Sequence, residues 1–448
     1  MIITWVNHAS FFLETRGVRL ITDPWIEGTA FNNGWKLLSP SRFSYDDFRT
    51  VSHIWFSHEH PDHFAPPTLK HIPSEVRRDI TVLYQRTKDK KVLEFCRSLG
   101  FKTVEELNPN QWCELASGVS VLVNPYVGGD SWMCLKSEGK TVLNINDCAV
   151  ETTLDAGAIK RKVGDVDILL TQFSYANWVG NKEDTAFRRA VAREKLDRIV
   201  MQSRVFQPRM IVPMGSYVWF CHTENSYMND AINRVQDVYR FIGDNTQAVP
   251  VVLYPGDTWN VESVHESLSS LQKYSVDYGK IPAADLIESQ RVDLSELIVA
   301  STEFVHRLGH SNNSLMLSLL LRPARIYLTD YRRTVDLSLP EGLKEVAGDY
   351  DSCDVALSSE SLLYCLKFQW GGDTLHVNGR FQKPKNGRWA RFRRYFSIAS
   401  LNNRGERCSP AYVLRRVGSR LVRRFFLLFQ NVSDRLRGFK TSRAMGLL

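Results

Sequence analysis

The first sixty residues alternate short β-like runs with turns: Ile2 to Val6, Ser10 to Glu14 and Val18 to Thr22, then Ile54-Trp55-Phe56 leading into a polar cluster. Strand-like runs recur at Thr81 to Tyr84, Val119 to Val123, Thr141 to Ile145 and Ile168 to Thr171, separated by helical stretches such as Lys88 to Leu99. That order suits two sheets flanked by helices. A long helical segment, Glu183 to Gln207, precedes a short buried strand at Met210 to Pro213. The β-like Val251 to Tyr254 and the turn Pro255-Gly256-Asp257 close this first domain, which we place at residues 1–270. Over 271–382 the pattern changes to helices and strands, including Ser314 to Leu321, Ala324 to Thr329 and Thr374 to Asn378. It predicts a smaller α+β subdomain, with Gly371 to His376 as turn and strand. No repeat or low-complexity linker interrupts the chain.

Charge divides the chain in a way the net value of +8 conceals. Residues 383–443 hold 17 Lys/Arg against Glu406 and Asp434, so the remainder, 40 basic against 47 acidic, carries −7. The high isoelectric point therefore belongs to a basic tail over 383–448 and not to the body, and no nucleic-acid partner is expected. In that tail Leu414, Val417, Leu421, Phe425 and Leu428 recur at helical spacing among Arg415, Arg416, Arg420, Arg423 and Arg424. Such a helix suits an anionic membrane surface, the acidic body or a second copy of the chain in a homo-oligomer. No apolar run reaches spanning length and no signal-peptide pattern follows Met1, so a cytoplasmic protein, membrane-associated if the tail docks there, is expected. Eight scattered cysteines form no CxxC pair. Nor is there a Cys-x-His or Cys-x-x-His pair, so a Rieske iron–sulfur cluster cannot be assembled from these residues, and redox chemistry would need outside electrons.

The chemistry concentrates in His58-Glu59-His60-Pro61-Asp62-His63. Four metal-capable side chains leaving one strand end cannot all reach one ion. Alternation puts His58 and His60 on one side, while the following turn swings Asp62 and His63 toward a neighbouring position, so the donors split between two ions. P-loop, dinucleotide-binding glycine and GxSxG patterns are absent. His306 and His310, four apart on a helical register, read as ordinary surface or core histidines.

The spacing of His58, His60, Asp62 and His63 resembles the HxHxDH signature of the metallo-β-lactamase superfamily. Within it the chain is similar to the catalytic domain of the CMP-N-acetylneuraminate hydroxylases, and more loosely to the ascorbate-phosphate lactonase and N-acylphosphatidylethanolamine phospholipase D groups. The likeness covers residues 1–260 and includes Asn7-His8-Ala9-Ser10, Thr22-Asp23-Pro24-Trp25, Gly34-Trp35, the run from Val142 to Cys148 and that from Pro213 to His222. The resemblance implies an αββα sandwich holding two divalent ions, zinc or iron/manganese. It implies Asp147 as the bridging carboxylate and His222 as the last ligand of a second site with Asp62 and His63. His8 and Asp23 are then orienting groups, not ligands. The superfamily usually supplies a third histidine to the first metal, and this chain has none between His71 and His222. Asp130, in Gly128-Gly129-Asp130-Ser131, takes that place and gives a first site of His58, His60 and Asp130, a donor set that suits non-haem iron as well as zinc or manganese.

Two activities follow as expectations. One is a binuclear hydrolase in which a metal-bridging hydroxide attacks an anionic, sugar- or phosphate-containing substrate, with Asp62 and Asp147 as its catalytic carboxylates. The other is a di-iron monooxygenase acting on an acyl-amino sugar, glycan-bound or nucleotide-activated, with an external electron donor.

Overall fold

The computed structural model describes residues 1–414, and the chain divides into two units: residues 1–179 with 185–287, and 180–184 with 288 onward. The tail expectation for Arg415 to Leu428 lies outside the described residues. Among the described residues no helix is long and apolar enough to cross a membrane.

In the first unit two seven-stranded sheets share one apolar core. The first sheet runs Thr258–Asn260, Ile2–Asn7, Ser10–Thr15, Val18–Thr22, His53–Phe56, Thr81–Gln85, Thr103–Leu107. Period-two alternation explains its two faces. Ile3, Phe11, Leu13, Leu20, Trp55 and Leu83 enter the shared core. Their neighbours Phe12, Ile21, Ile54, Phe56 and Val82 face Leu69, Val76, Val92 and Leu93 of the covering helices Pro66–His71, Ser74–Arg77 and Lys91–Ser98.

The second sheet runs Val249–Pro250, Met210–Met214, Ile168–Gln172, Lys140–Asn144, Ser131–Ser137, Val119–Pro125, Trp112–Ala116. Ile159, Val163, Leu196, Ile199 and Phe206, from helices Thr153–Val163 and Thr185–Phe206, join the shared core. The αββα sandwich is thus present, and the long helix lies where its pattern predicts. Of the β-like Val251 to Tyr254, only the preceding Val249–Pro250 pairs as a strand.

Where the strands run parallel decides where chemistry collects. In the first sheet Val18–Thr22 pairs parallel with His53–Phe56, with Thr22 opposite Trp55, and His53–Phe56 pairs parallel with Thr81–Gln85. In the second, Lys140–Asn144, Ile168–Gln172 and Met210–Met214 are parallel, with Asn144 opposite Leu170 and Gln172 opposite Met214. Parallel strands finish at one edge, where residues just past their carboxyl ends meet. Those residues are Asp23, Ser57-His58, Asn146-Asp147 and Gly215.

The first unit continues to Ile287, past the expected limit of 270. Helix Ser267–Lys280 packs Tyr274 and Tyr278 into the shared core, and the Tyr274 hydroxyl donates to the Leu253 carbonyl at 3.0 Å. A three-stranded sheet, Val218–Phe220, Trp35–Leu37 and Thr29–Ala30, completes this unit.

The second unit carries the sheet Gly342–Val346, Arg333–Ser338, Ala324–Leu328, Val355–Leu357. Its helices are Leu294–Ser311, Ser314–Leu320, Ser359–Lys367, Gly371–Asn378 and Trp389–Asn403, so it has the expected α+β character. Two details differ from the sequence reading. Gly371–Asn378 is a helix, closed by Gly379 in the left-handed region at φ 66°, where a turn and strand were expected. The expected tail begins too early, because Trp389–Asn403 buries Phe392, Tyr395, Phe396 and Leu401 and belongs to the folded unit. His306 and His310 meet edge to face with ring centroids 4.7 Å apart on an exposed helix face, and they join neither set of metal-capable side chains found among the described residues.

Candidate metal centre

The centre is built around Asp23. Its backbone, at φ 39°, turns the chain sharply after Thr22, and its buried carboxylate then accepts from the Ser57 N–H and hydroxyl, each at 2.7 Å. It also accepts from Asn146 Nδ2 at 2.9 Å and stands 2.9 Å from His63 Nδ1. One carboxylate thus ties the ends of strands from both sheets and fixes which ring nitrogen of His63 is left for another partner. After Pro61 a single turn, with Phe64 N–H donating to the His60 carbonyl at 2.7 Å, brings Asp62 and His63 back over the strand end.

The free nitrogen, His63 Nε2, is buried and makes no hydrogen bond, although Asp62 Oδ2 lies 3.3 Å away and Asp147 Oδ2 3.4 Å away. Asp62 Oδ1 and His8 Nδ1 are likewise buried without a hydrogen bond, while His8 Nε2 lies 3.2 Å from Asp62 Oδ2. Unsatisfied buried polar atoms are costly, and one facing two carboxylates, as His63 Nε2 does, is what a missing cation would leave. Among the described residues two sets of three side chains could each hold an ion: His8, Asp62 and His63, and His58, His63 and Asp147, the donor atoms of each set lying within 4.8 Å of one another. His63 belongs to both.

The remaining expected donors occupy distinct positions. His60 Nδ1 lies 3.0 Å from His58 Nε2, and Asp130 Oδ1 lies 3.8 Å from the same nitrogen. The Asp130 loop passes through Gly128 and Gly129 at φ 101° and 109°. It is moored by Gln85 Nε2 donating to the Gly129 carbonyl at 2.5 Å and by the Ser131 hydroxyl donating to the Ser57 carbonyl at 2.6 Å. His222, expected with Asp62, His63 and Asp147, joins neither set. Its Nδ1 accepts from the Glu224 N–H at 3.1 Å, and its backbone N–H donates to Asn225 Oδ1 at 3.0 Å, so the local turn positions the ring.

His8, read from sequence as an orienting group, is itself a metal-capable side chain within reach of Asp62 and His63. Its signal was available: a histidine in the tight turn Asn7-His8-Ala9-Ser10, between two strongly apolar strands, is fully buried where turns usually face water. The ring of Phe31 closes the wall beside His60, at 5.6 Å, from a turn whose Phe31, Asn32 and Asn33 all sit at positive φ (52°, 51° and 58°). Three successive left-handed non-glycine residues are a strained turn, held where it meets the centre.

The electrostatics fit a cation. Burial works against charge on His63, but Asp62, Asp147 and Asp23 override it and hold the imidazolium well above the ordinary range. Burial pushes Asp62 up, yet His63 and His8 carry it well below a usual carboxylate, and Asp147 is lowered against burial in the same way by His63. His58 is pushed down to about 4, by burial first and then by His63, so it offers a neutral ring. Asp130 rises to about 6, chiefly through burial. A proton on His63 therefore stands where a divalent ion would balance the carboxylates, and ion binding would release it.

Residues 2–183 match the family model of the beta-lactamase superfamily domain. The mouse cytidine monophosphate-N-acetylneuraminic acid hydroxylase is 24% identical over 273 residues, 57% of this chain and 46% of that protein. The chain spans about half the length of the curated relatives it matches. Solved structures with a similar fold include CmlA, a diiron beta-hydroxylase from Streptomyces venezuelae (16% identity, 58% of this chain and 54% of that one, TM-score 0.39). Another is Igni18, a metallo hydrolase from Ignicoccus hospitalis (15% identity, 58% and 97%, TM-score 0.40). The chain is thus similar to the beta-lactamase superfamily over residues 2–183 and, over about half of its length, to the cytidine monophosphate-N-acetylneuraminic acid hydroxylases.

Proposed function

We propose that this protein is a metal-dependent enzyme whose centre holds two divalent ions and hydrolyses an anionic, sugar- or phosphate-containing substrate. The observation that carries the proposal is His63 Nε2, buried, without a hydrogen bond, and shared by two sets of donors. Ions held there would supply Lewis acidity and lower the pKa of water to near neutrality. Asp62 and Asp147 supply the anionic donors and His8, His58 and His63 the neutral ones, with Asp130 and His60 within reach of His58. Asp23 fixes the His63 ring and the Ser57 turn, so the donors are held before any ion or substrate arrives. Phe31, its ring 4.5 Å from that of Trp35 and 5.6 Å from that of His60, lines the His60 side with apolar surface.

A second reading, oxygenation of an acyl-amino sugar with electrons from another protein, is favoured by the similarity to the hydroxylases and by the carboxylate at Asp130. Elemental analysis of anaerobically purified protein, with turnover measured with and without oxygen, separates the two. Zinc or manganese and oxygen-independent turnover support hydrolysis. Iron with oxygen consumption replaces it by the second reading, and protein that takes up no metal overturns both.

A further inference from the structure

Asp147 has two oxygens in different surroundings. Oδ2 faces His63 Nε2 at 3.4 Å, whereas Oδ1 accepts from Gln172 Nε2 at 3.3 Å. Gln172 ends the strand Ile168–Gln172, and on its far side Oε1 accepts from the ammonium of Lys195 at 2.5 Å. Lys195 lies within helix Thr185–Phe206, 23 residues further along the chain, and is partly buried.

An ammonium only donates, so the glutamine must turn its carbonyl toward Lys195 and its NH2 toward Asp147. The reverse orientation would set the amide oxygen against the carboxylate while leaving the ammonium facing an NH2 group. Both ends of the relay therefore select the same arrangement. A glutamine amide alone is symmetric enough to turn over, and a cation behind it removes that freedom. Gly215, at φ 67°, approaches so closely that a Cβ there would lie 3.3 Å from Asp147 Oδ1, which leaves this oxygen little room for another partner. Burial pushes Lys195 down to about 7, Arg198 adds to the push, and Asp147 and Glu151 oppose it, so the ammonium that orients the amide prevails below that pH. A lysine kept in such surroundings is not a solvated surface charge.

We propose that Lys195 is a positioning residue for the metal centre: through Gln172 it holds Asp147 Oδ1 in a hydrogen bond, so that Oδ2 alone is offered to metal. The inference rests on the metal-dependent reading above, and deepens it by naming what sets the binding mode of the central carboxylate.

The test titrates cobalt(II) into chelator-treated full-length protein and follows affinity by chelator competition together with the visible absorption of the bound ion. Lys195→Met frees the amide, and Asp147 can then offer both oxygens. Cobalt affinity should fall by about 10- to 100-fold, the range for groups that orient metal ligands, and the absorption should weaken as coordination number rises. Lys195→Arg, which also only donates, should restore both. In a Gln172→Met background Lys195→Met should have no further effect, because the relay is already cut; a long-range charge effect would persist there. Melting of the metal-free proteins shows whether each variant is folded, and Gln172→Met by itself must reproduce the affinity loss. The proposal is overturned if Lys195→Met leaves affinity and spectrum unchanged, or weakens binding equally in both backgrounds. Wild-type protein that binds no cobalt would instead remove the metal-dependent reading itself.

Discussion

Asp62 in the first unit and Asp354 in the second are both nearly inaccessible, at 2% and 4% exposure, yet their oxygens are treated differently. Asp354 Oδ1 accepts from the Arg388 N–H and Oδ2 from the Arg325 N–H, each at 3.1 Å, and Arg391 stands 3.7 Å away. Asp62 Oδ2 faces His8 and His63, while Oδ1 has no hydrogen bond. Asp354 is a joint between strand Ala324–Leu328 and the chain entering helix Trp389–Asn403, complete as it stands. Asp62 belongs to a cluster complete only with something added. Buried polar groups that serve packing are satisfied within the chain, and a converging set that is not marks a ligand site.

The sharpest break of that contrast is His63→Ala. Because His63 belongs to both donor sets, the variant should lose both ions and all turnover, whereas His60→Ala, beside His58 but in neither set, should lose less metal. The fold should survive in each, since the shared core between the sheets contains none of these side chains. Metal analysis and calorimetry on the same preparations check this; full metal content in His63→Ala would refute the assignment.

Asp354→Ala should do the opposite. Two backbone N–H groups lose their acceptor, at a cost of about 1–3 kcal/mol each for a buried unsatisfied donor, so the second unit should lose roughly 3 kcal/mol while metal content stays unchanged. Denaturant unfolding followed beside metal analysis reads both quantities.

How much of this was legible beforehand depended on sequence distance. His58, His60, Asp62 and His63 announce themselves because one strand end and one turn carry them all. The strand pattern likewise exposed the sandwich, since alternation is a local property. His8 meets Asp62 across 54 residues, and Lys195 meets Gln172 across 23, and no local pattern encodes such encounters. Strand alternation places His60 beside His58, while the turn after Pro61 also carries His63 back toward His58 and Asp147, an approach that local spacing does not encode. The helix Gly371–Asn378 was hidden by its opening Gly371-Gly372, which reads as a turn. There the lack of side chains is a packing requirement, because a Cβ on Gly372 would lie 2.1 Å from Phe396 Cβ.

Asp130 sharpens the comparison through pH. Its folded carboxyl is raised from 3.8 to about 6, so its neutral form favours the metal-free fold below pH 4, and that contribution is lost as pH rises through 6. The ionised form then carries a penalty of roughly 3 kcal/mol at most. Asp130→Asn is permanently neutral. Chelator-treated variant should therefore match wild type near pH 4 and exceed it above pH 6, and adding metal should reverse the order, because the ion stabilises the charged carboxylate. Denaturant unfolding at the two pH values, with and without metal, would contradict this if the variant were no more stable at pH 7 when metal-free.

Gly215→Ala is the smallest perturbation and bears on the centre alone. The residue follows strand Met210–Met214 at φ 67°, its N–H donating to the His8 carbonyl at 2.9 Å, so a side chain there is strained whatever the space. That strain costs about 1 kcal/mol for a left-handed alanine, and it should appear as a modest loss of stability in metal-free protein. The added methyl also arrives 3.3 Å from Asp147 Oδ1, closer than ordinary van der Waals contact, and that oxygen must give way by a few tenths of an ångström. A displaced carboxylate loosens a preorganised donor set, so metal affinity should fall several-fold in addition to the stability loss. Cobalt competition on Gly215→Ala separates the two effects. Lost stability with unchanged affinity would mean that Asp147 moves freely and that the close approach of Gly215 serves only the backbone turn.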